Sequence, residues 1–231
     1  MPASKAWVAW SSGKDSAWAL HVAREAGKTE VVGLLTTVTE DFSRVSMHGV
    51  REELLQAQAK AVGLPLITVR IPYPCSNSVY EQAMGRALQR ARSEGVTQLV
   101  FGDLFLEDIR AYRESRMQGT GVQPVFPLWG LPTDRLALQM IDGGLAATLV
   151  CIDPSKLSKS CAGRAFDRTL LDSLPAGVDP CGERGEFHTF VTNAPMFRSP
   201  VVTEPGPLVE RDGFVFADLR PARSPAESPP Q

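Results

Sequence analysis

Short apolar runs alternate with helical patterns over the first three quarters of the chain. The runs typical of strands cover residues 6–10, 30–38, 66–71, 98–101, 125–126 and 146–152. Helical spacing of apolar residues predicts helices over residues 16–26, 49–62, 78–92, 107–118, 133–142 and 164–174. The alternation predicts an α/β fold, in which parallel strands are joined by crossover helices that cover both faces of the sheet. Such sheets bind ligands beyond the C-terminal ends of their strands.

The pattern changes near the end of the last predicted helix, where proline and glycine become frequent. Two β-rich runs, residues 200–209 and 213–219, flank the turn sequence ERDG and predict a hairpin. Residues 221–231 have only alanine and proline as non-polar residues, which predicts a disordered tail. We therefore expect a main domain over residues 1–174 and a β-rich segment over residues 175–220. The exposed edge of the hairpin suits a homodimer.

Composition narrows the classes of function. The 231 residues are 43% hydrophobic and 22% charged, and the net charge of −2 gives no basic surface for bulk nucleic-acid binding. No run approaches the roughly 18 apolar residues of a membrane span. The four cysteines form no C-x-x-C pair, which argues against a zinc ribbon or a thioredoxin-like site. We expect a cytoplasmic globular protein with neither a nucleic-acid nor a membrane partner.

The stretch VAWSSGKDSAWAL, residues 8–20, interrupts an apolar strand with six small or charged residues before a helix begins. Such a loop places several backbone N–H groups at a positive helix end, which is an anion site that phosphate commonly fills. Glycine permits close backbone approach, Lys14 adds positive charge, and three serines offer hydroxyl donors. The Walker A pattern fails, because Val8 stands where it needs glycine and Asp15 follows the lysine. The alternative is a plain helix capped by Asp15 or Ser16.

A second polar group follows the fourth predicted strand. Asp103 comes directly after this strand, where its carboxylate can meet a ribose hydroxyl, a metal or a substrate cation, or can cap the next helix. Arg110, Arg113 and Arg116 recur along one side of that helix. They can clamp phosphate or carboxylate groups, and an exposed face of salt bridges is the alternative.

A third polar group lies far downstream in CGERGEFHTFV, residues 181–191. Glu183 and Glu186 stand in a glycine-flanked segment that cannot be a regular helix. Two carboxylates with His188 and Thr189 nearby can bind an amine, orient ammonia or hold Mg²⁺. A polar surface turn is the alternative interpretation.

SSGKDS resembles the pyrophosphatase loop, usually S-G-G-K-D-S, of the N-type ATP pyrophosphatases. Together with four later motifs, it resembles the diphthine–ammonia ligase family. These motifs are MHGVREELLQAQA (47–59), FGDLFLEDIRAYRESR (101–116), PLWG (127–130) and CGERGEFHTFV (181–191). The likeness extends from residue 5 to about residue 200, with the motifs in order. Ser12 stands where the family usually has glycine, and a serine is strained there if the position needs a positive φ.

The resemblance implies a fold like that of the adenine nucleotide α-hydrolases and an ATP-dependent ligase that uses Mg²⁺. Such an enzyme adenylates a carboxylate with release of pyrophosphate, and ammonia then displaces AMP to leave an amide. In the family the carboxylate belongs to diphthine, a modified histidine on a translation elongation factor. If the arginine-rich chain comes from a bacterium, the reaction type can hold while the acceptor differs.

By position in the motifs, the resemblance implies roles for individual residues. The catalytic residues are Lys14, Asp103, Glu183 and Glu186. The nucleotide-binding residues are Ser11, Ser12, Gly13, Lys14, Asp15, Ser16, Thr36 and Gly102, with Asp15 also holding the metal. The substrate-binding residues are His48, Arg113, Trp129, His188 and Thr189. The adenosine is expected between the ends of the second and fourth strands.

Two other classes of function remain open from the sequence. Many proteins with this loop modify tRNA. That role would usually require a basic face and reactive cysteines, and neither is evident from the sequence. A non-catalytic nucleotide sensor would use the same fold. The late polar segment argues against a sensor, because nucleotide binding alone does not need a second polar cluster.

Overall fold

The computed structural model describes residues 3–40, 44–45 and 49–222. Its first sheet has six strands: β1 (Ser4–Ala9), β2 (Thr29–Thr39), β3 (Arg44–Val45), β4 (Leu66–Ile71), β5 (Gln98–Val100) and β6 (Gln123–Val125). The order is β3-β2-β1-β5-β6, with β4 paired to β2. All pairs are parallel except that of the short β3 with the end of β2. The predicted parallel sheet is confirmed, and β1 lies between β2 and β5.

Helices cover both faces of this sheet, as predicted. They are α1 (Lys14–Glu25), α2 (Glu52–Val62), α3 (Asn77–Ser93), α4 (Glu107–Met117), α5 (Thr133–Asp142) and α6 (Arg168–Asp172). The apolar residues of α1, α2 and α5 are buried in one core cluster, and those of α3 and α4 in a second cluster with Trp7 and Leu35. Burial of one apolar stripe per helix is the main source of stability for such layers.

The sixth strand of the predicted parallel series belongs to a different sheet. This strand, β7 (Ala146–Ile152), forms an antiparallel sheet with β8 (Phe187–Asn193), β9 (Thr203–Arg211) and β10 (Phe214–Pro221), in the order β8-β7-β10-β9. Its assignment to the parallel sheet was wrong, because a continuous apolar run fits any strand buried on both faces. The β9–β10 hairpin is confirmed, whereas β8 was not predicted.

The predicted helix over residues 164–174 is reduced to one short helix, α6. Residues 164–166 lie along β7 instead: Leu149 donates its N–H to the carbonyl of Arg164, and Phe166 donates to the carbonyl of Ala147. The helix begins only after Asp167, whose carboxylate accepts a hydrogen bond from the N–H of Leu170 at 2.8 Å. Pairing with the second sheet therefore overrides the helical pattern of the sequence.

Two predictions concern the ends and limits of the chain. Residues 223–231 lie outside the described residues, so the disordered tail stays a prediction, as do the domain limits. Within the described ranges, no helix combines the length and the apolar character that crossing a membrane requires.

Candidate active site

A cleft of about 360 Å³ opens at the C-terminal ends of β1, β2 and β5. Helices α3 and α4, the start of β8 and the turn before β8 form the rest of its lining. The predicted site residues that line it are Ser11, Gly13, Lys14, Asp15, Ser16, Thr36, Gly102, Asp103, Arg113, Glu183, His188 and Thr189. The structure thus brings the three separated polar groups of the sequence to one place.

The loop between β1 and α1 forms one wall of the cleft. Helix α1 begins at Lys14 with Gly13 at the N-cap position, so neither Asp15 nor Ser16 caps it. The Ser16 hydroxyl donates to the carbonyl of Gly13 at 2.9 Å and lies 3.1 Å from the hydroxyl of Ser11. Two serine hydroxyls and the positive end of α1 therefore face the cleft, as an anion requires.

Ser12 lies behind the loop, fully buried, and does not line the cleft. Its φ of 72° is in the left-handed region, which glycine adopts most readily. This explains why the pyrophosphatase loop that SSGKDS resembles usually has glycine at this position. Its hydroxyl oxygen has no hydrogen-bond partner within the described part of the chain.

Gly102 allows the end of β5 to approach this loop. A Cβ atom at Gly102 would lie 2.7 Å from the carbonyl carbon of Asp15 and 2.8 Å from the nitrogen of Ser16. Neither backbone atom can move without displacing the first turn of α1, so a larger residue would distort the cleft.

Lys14 joins the loop to the late segment. Its side chain is buried, and its ammonium lies 2.9 Å from Asp15 Oδ2 and donates to the carbonyl oxygen of Cys181. The rings of Phe187 and Phe166 face it, with centroids at 5.3 and 5.6 Å. Burial by itself would lower the pKa of Lys14, but the charge of Asp15 raises it above its ordinary value. The lysine is therefore a fixed positive charge beside the cleft.

Asp179 organises the turn that carries Glu183. Asp179 Oδ1 accepts the N–H groups of Cys181 and Glu183 at 2.9 and 3.2 Å, and Oδ2 accepts the Thr133 hydroxyl at 2.6 Å. Gly182 adopts a φ of +69°, which a residue with a Cβ atom rarely adopts. The turn presents both the Cys181 carbonyl to Lys14 and the Glu183 carboxylate to the cleft.

The carboxylate of Glu183 is held at the cleft by the neighbouring strand end. Its Oε1 accepts the backbone N–H of Leu104 at 2.8 Å. Burial, reinforced by the nearby charges of Asp15 and Asp103, raises its pKa to about 7. A carboxyl group with this pKa can both hold and release a proton near neutral pH.

His188 and Thr189 follow on β8. Thr189 Oγ1 accepts the backbone N–H of Lys14 at 3.0 Å, so it satisfies the first donor of α1. Burial and the charge of Lys14 lower the pKa of His188 to about 4, which keeps its imidazole neutral at physiological pH.

Asp103 and Arg113 form a bidentate ion pair at the mouth of the cleft. The two hydrogen bonds from the guanidinium measure 2.6 and 3.0 Å, and the guanidinium also lies over the ring of Phe101, 4.4 Å from its centroid. Across the cleft, Thr36 on β2 is buried with its hydroxyl oxygen unpaired within the described ranges. Polar groups from the ends of β2 and β5 thus line the same cleft, and the adenosine position stays a prediction.

Like Ser12, two further predicted residues of the described chain, Glu186 and Trp129, do not line this cleft. Glu186 is buried behind it, where its Oε1 accepts the N–H of Asp179 at 3.2 Å. Trp129 packs under the guanidinium of Arg110, which lies 4.7 Å from its ring centroid. His48 falls outside the described residues.

Sequence reasoning missed several residues around the cleft. Tyr80 and Met84 of α3 line it, and Asp179 and Gln58 hold its walls through buried hydrogen bonds. Gln58 had a signal, since it is a polar residue on the apolar face of α2. Asp179 accepts local N–H groups from Cys181 and Glu183, whereas its bond to the Thr133 hydroxyl, 46 residues away, depends on the fold.

The fold and the loop define an α/β protein of the pyrophosphatase-loop class, with a polar cleft between the loop and the second sheet. A model of the diphthamide synthase N-terminal domain matches residues 4–124, and one of the diphthamide synthase C-terminal domain matches residues 132–205. The chain belongs to the diphthamide synthase family.

Curated relatives agree with the family models. The chain is similar to the diphthine–ammonia ligases of Bos taurus, Homo sapiens and Danio rerio, at 24%, 22% and 25% identity. The alignments span 90% of this chain in each case, and 86%, 86% and 90% of the three relatives. The likeness therefore extends over most of the chain.

Proposed function

We propose that this protein is an ATP-dependent ligase that adenylates the carboxylate of a diphthine-type substrate and transfers ammonia to it. The products are an amide, AMP and pyrophosphate. The observation that carries the proposal is the position of Glu183: a carboxyl group with a pKa of about 7 faces the same cleft as the anion-binding loop. Membership in the diphthamide synthase family supplies the reaction type.

ATP fits the cleft with its phosphates at the loop. The serine hydroxyls, the positive end of α1 and the fixed charge of Lys14 favour a polyphosphate there. Adenosine then lies between Thr36 on β2 and Gly102 at the end of β5. Pyrophosphate departs from a position beside the loop, where the positive groups named above stabilise the negative charge that develops on it.

The residues at the loop fit Mg²⁺ bound through ATP. Asp15 Oδ1 is a buried carboxylate oxygen with no partner among the described residues. Mg²⁺ is commonly held by one or two carboxylates together with substrate phosphates. The described ranges contain no group of three or more His, Cys, Asp or Glu residues placed to hold a metal ion by themselves. When bound, Mg²⁺ would neutralise phosphate charge, and Asp15 would hold it.

Glu183 is the group placed for the second half-reaction. Ammonia attacks the activated carbonyl only after ammonium has lost a proton, and an ionised Glu183 accepts that proton. His188 is neutral, so its imidazole does not repel the positive charge of the incoming ammonium. Asp103 and Arg113 form an ion pair with each other. In the proposed complex, Arg113 binds the carboxylate of the acceptor and Asp103 binds the ribose of ATP.

The remaining partners are proposed on the family alone. The acceptor is a modified histidine on a translation elongation factor, and the reaction takes place in the cytoplasm. A homodimer through the edge of β9 remains part of the proposal, although Pro205 and Pro207 remove two hydrogen-bond donors from that strand.

The cysteines favour the ligase over tRNA thiolation. All four are free thiols, and those of Cys151, Cys161 and Cys181 are buried. Burial raises the pKa of Cys181 above its ordinary value and that of Cys151 to about 12. Thiols in this state are poor nucleophiles.

Isotope exchange tests adenylation directly. The protein is incubated with ATP, MgCl₂, labelled pyrophosphate and a diphthine-bearing elongation factor, without ammonium. Label entering ATP only when the acceptor is present is the expected result, because the acyl-adenylate forms reversibly. Turnover with ammonium should then release AMP and pyrophosphate. ADP and phosphate as products would contradict the mechanism.

A further inference from the structure

Gln58 is a fully buried polar residue on the apolar face of α2, among Leu54, Leu55 and Val62. Its amide nitrogen donates to the carbonyl oxygen of Ser12 at 3.0 Å. The same nitrogen donates to the carbonyl oxygen of Val191 on β8 at 2.7 Å. Its amide oxygen accepts the indole N–H of Trp10 at 2.9 Å. One side chain therefore ties together the end of β1, the loop and the second sheet.

The carbonyl of Ser12 is the centre of this arrangement. It accepts a second hydrogen bond, from the backbone N–H of Val191 at 3.0 Å. Ser12 holds a φ of 72°, a conformation that is strained for a non-glycine residue. Such a conformation persists only where surrounding contacts determine it. The two hydrogen bonds to the Ser12 carbonyl supply those contacts.

We propose that Gln58 is a positioning residue for the anion-binding loop: its amide holds Ser12 in the left-handed conformation and joins the loop to β8. Strand β8 also places the Thr189 hydroxyl against the backbone N–H of Lys14, so the same strand contacts the loop at Ser12 and at the start of α1. Gln58 does not itself line the cleft; it contacts Trp10, which does, and the carbonyl of Ser12 in the loop. The inference concerns the architecture of the loop and rests on the proposed function only in using ATP as a probe.

Glutamine suits this position better than similar residues. Both amide protons are used, one on each carbonyl, so a glutamate of the same shape would set a carboxylate oxygen against two carbonyl oxygens. Methionine matches the length of the side chain but leaves the Trp10 indole N–H and the Val191 carbonyl without their partner. Loss of these hydrogen bonds inside the protein destabilises the arrangement of the loop.

The first experiment compares Gln58→Met with two controls on the same helix. Gln56→Met makes the same change at an exposed position, and Leu55→Ala lowers stability at a buried position outside these hydrogen bonds. Hydrogen exchange over residues 11–16 and ATP affinity by calorimetry are measured for each.

We expect Gln58→Met to speed exchange in the loop and to weaken ATP binding by about tenfold. Leu55→Ala should unfold more easily yet bind ATP within about twofold of wild type, since it leaves the hydrogen bonds of Gln58 to the loop and to β8 in place. Loop exchange and ATP affinity in Gln58→Met equal to those in Gln56→Met would overturn the inference.

The second experiment tests the route through Ser12. Glycine adopts the left-handed conformation readily, so in a Ser12→Gly background the loop depends less on Gln58. Gln58→Met should then weaken ATP binding by less than about threefold. An unchanged tenfold loss in that background would overturn the proposed route. If wild type binds no ATP, the proposed function fails, and loop exchange alone decides this inference.

Discussion

The two walls of the cleft are built over very different distances along the chain. In the loop wall, the Ser16 hydroxyl binds the carbonyl of Gly13 three residues away. In the opposite wall, Glu183 binds the N–H of Leu104, 79 residues away, and Thr189 binds the N–H of Lys14, 175 residues away. The loop wall is a local motif, whereas the late wall exists only because the second sheet packs against the first.

This difference separates charged residues that reach the cleft in two different ways. Lys14 and Glu183 are both charged residues at the cleft, but Lys14 lies in the loop motif and Glu183 reaches the cleft through a turn. Glu186, three residues further on, points into the protein and supports that turn through Asp179. Replacing these residues tests whether the loop wall binds ATP and the late wall performs the second half-reaction.

The largest effect is expected from Lys14→Met. The change leaves Asp15 without its ion-pair partner, so the free energy of unfolding should fall by about 2–4 kcal/mol, less than for a fully buried pair because 27% of the Asp15 side chain is exposed. ATP binding should weaken about tenfold or more, since a charge near the phosphates is lost. Urea unfolding and calorimetry measure both effects. Lys5→Met, at an exposed position, is the control, and equal ATP affinity in the two variants would remove Lys14 from the nucleotide site.

Glu183→Gln should separate the two walls by function. The variant keeps its shape but cannot accept a proton, so turnover should fall by about 10²–10⁴-fold while ATP affinity stays near that of wild type. Steady-state amide formation and calorimetry are measured on the same preparation.

Glu186→Gln is the matched control for this change. Glutamine keeps an acceptor for the Asp179 N–H and removes a buried charge, so turnover should be retained. Equal loss of turnover in both variants would mean that the late segment acts as one structural unit. Loss of ATP binding in Glu183→Gln would place this carboxylate with the phosphates and the metal.

The pH dependence sharpens the assignment of Glu183. Its pKa is about 7 in the folded protein against an ordinary value of 4.5, so the folded state holds the proton longer than the unfolded chain does. Stability from this group is full below pH 4.5 and is lost as pH rises through about 7. Glu183→Gln should therefore gain stability relative to wild type between pH 5 and pH 8. Wild-type amide formation should fall below about pH 7, and a flat profile there would rule out Glu183 as the base.

The smallest effect is expected from Ser12→Gly in the loop wall. Glycine relieves the left-handed strain and removes a buried hydroxyl without a partner in the described part of the chain. Because glycine also makes the unfolded chain more flexible, the net gain in the free energy of unfolding should be below about 1 kcal/mol. Urea unfolding measures the gain. A loss of stability would mean that the serine side chain contributes packing that outweighs the strain.

Much of the first sheet could be predicted from the sequence because its signals are local. Alternating apolar strands and amphipathic helices indicated the parallel sheet, and glycine, lysine and serines at a strand end indicated the anion site. The pattern failed at β7, since a buried apolar run carries no information about which sheet it joins or in which direction. It failed again over residues 164–166, where pairing with β7 replaces a helical turn.

The amino-acid sequence by itself determined the loop, the order of the motifs and the class of fold, because each depends on residues that are neighbours in the chain. Only the tertiary structure decided that Glu183 faces the cleft while Glu186 and Trp129 do not, and that Gln58 supports Ser12. The physical reason is that Gln58 and Glu183 are held by hydrogen bonds to residues 46 and 79 positions away, whose geometry no local pattern specifies.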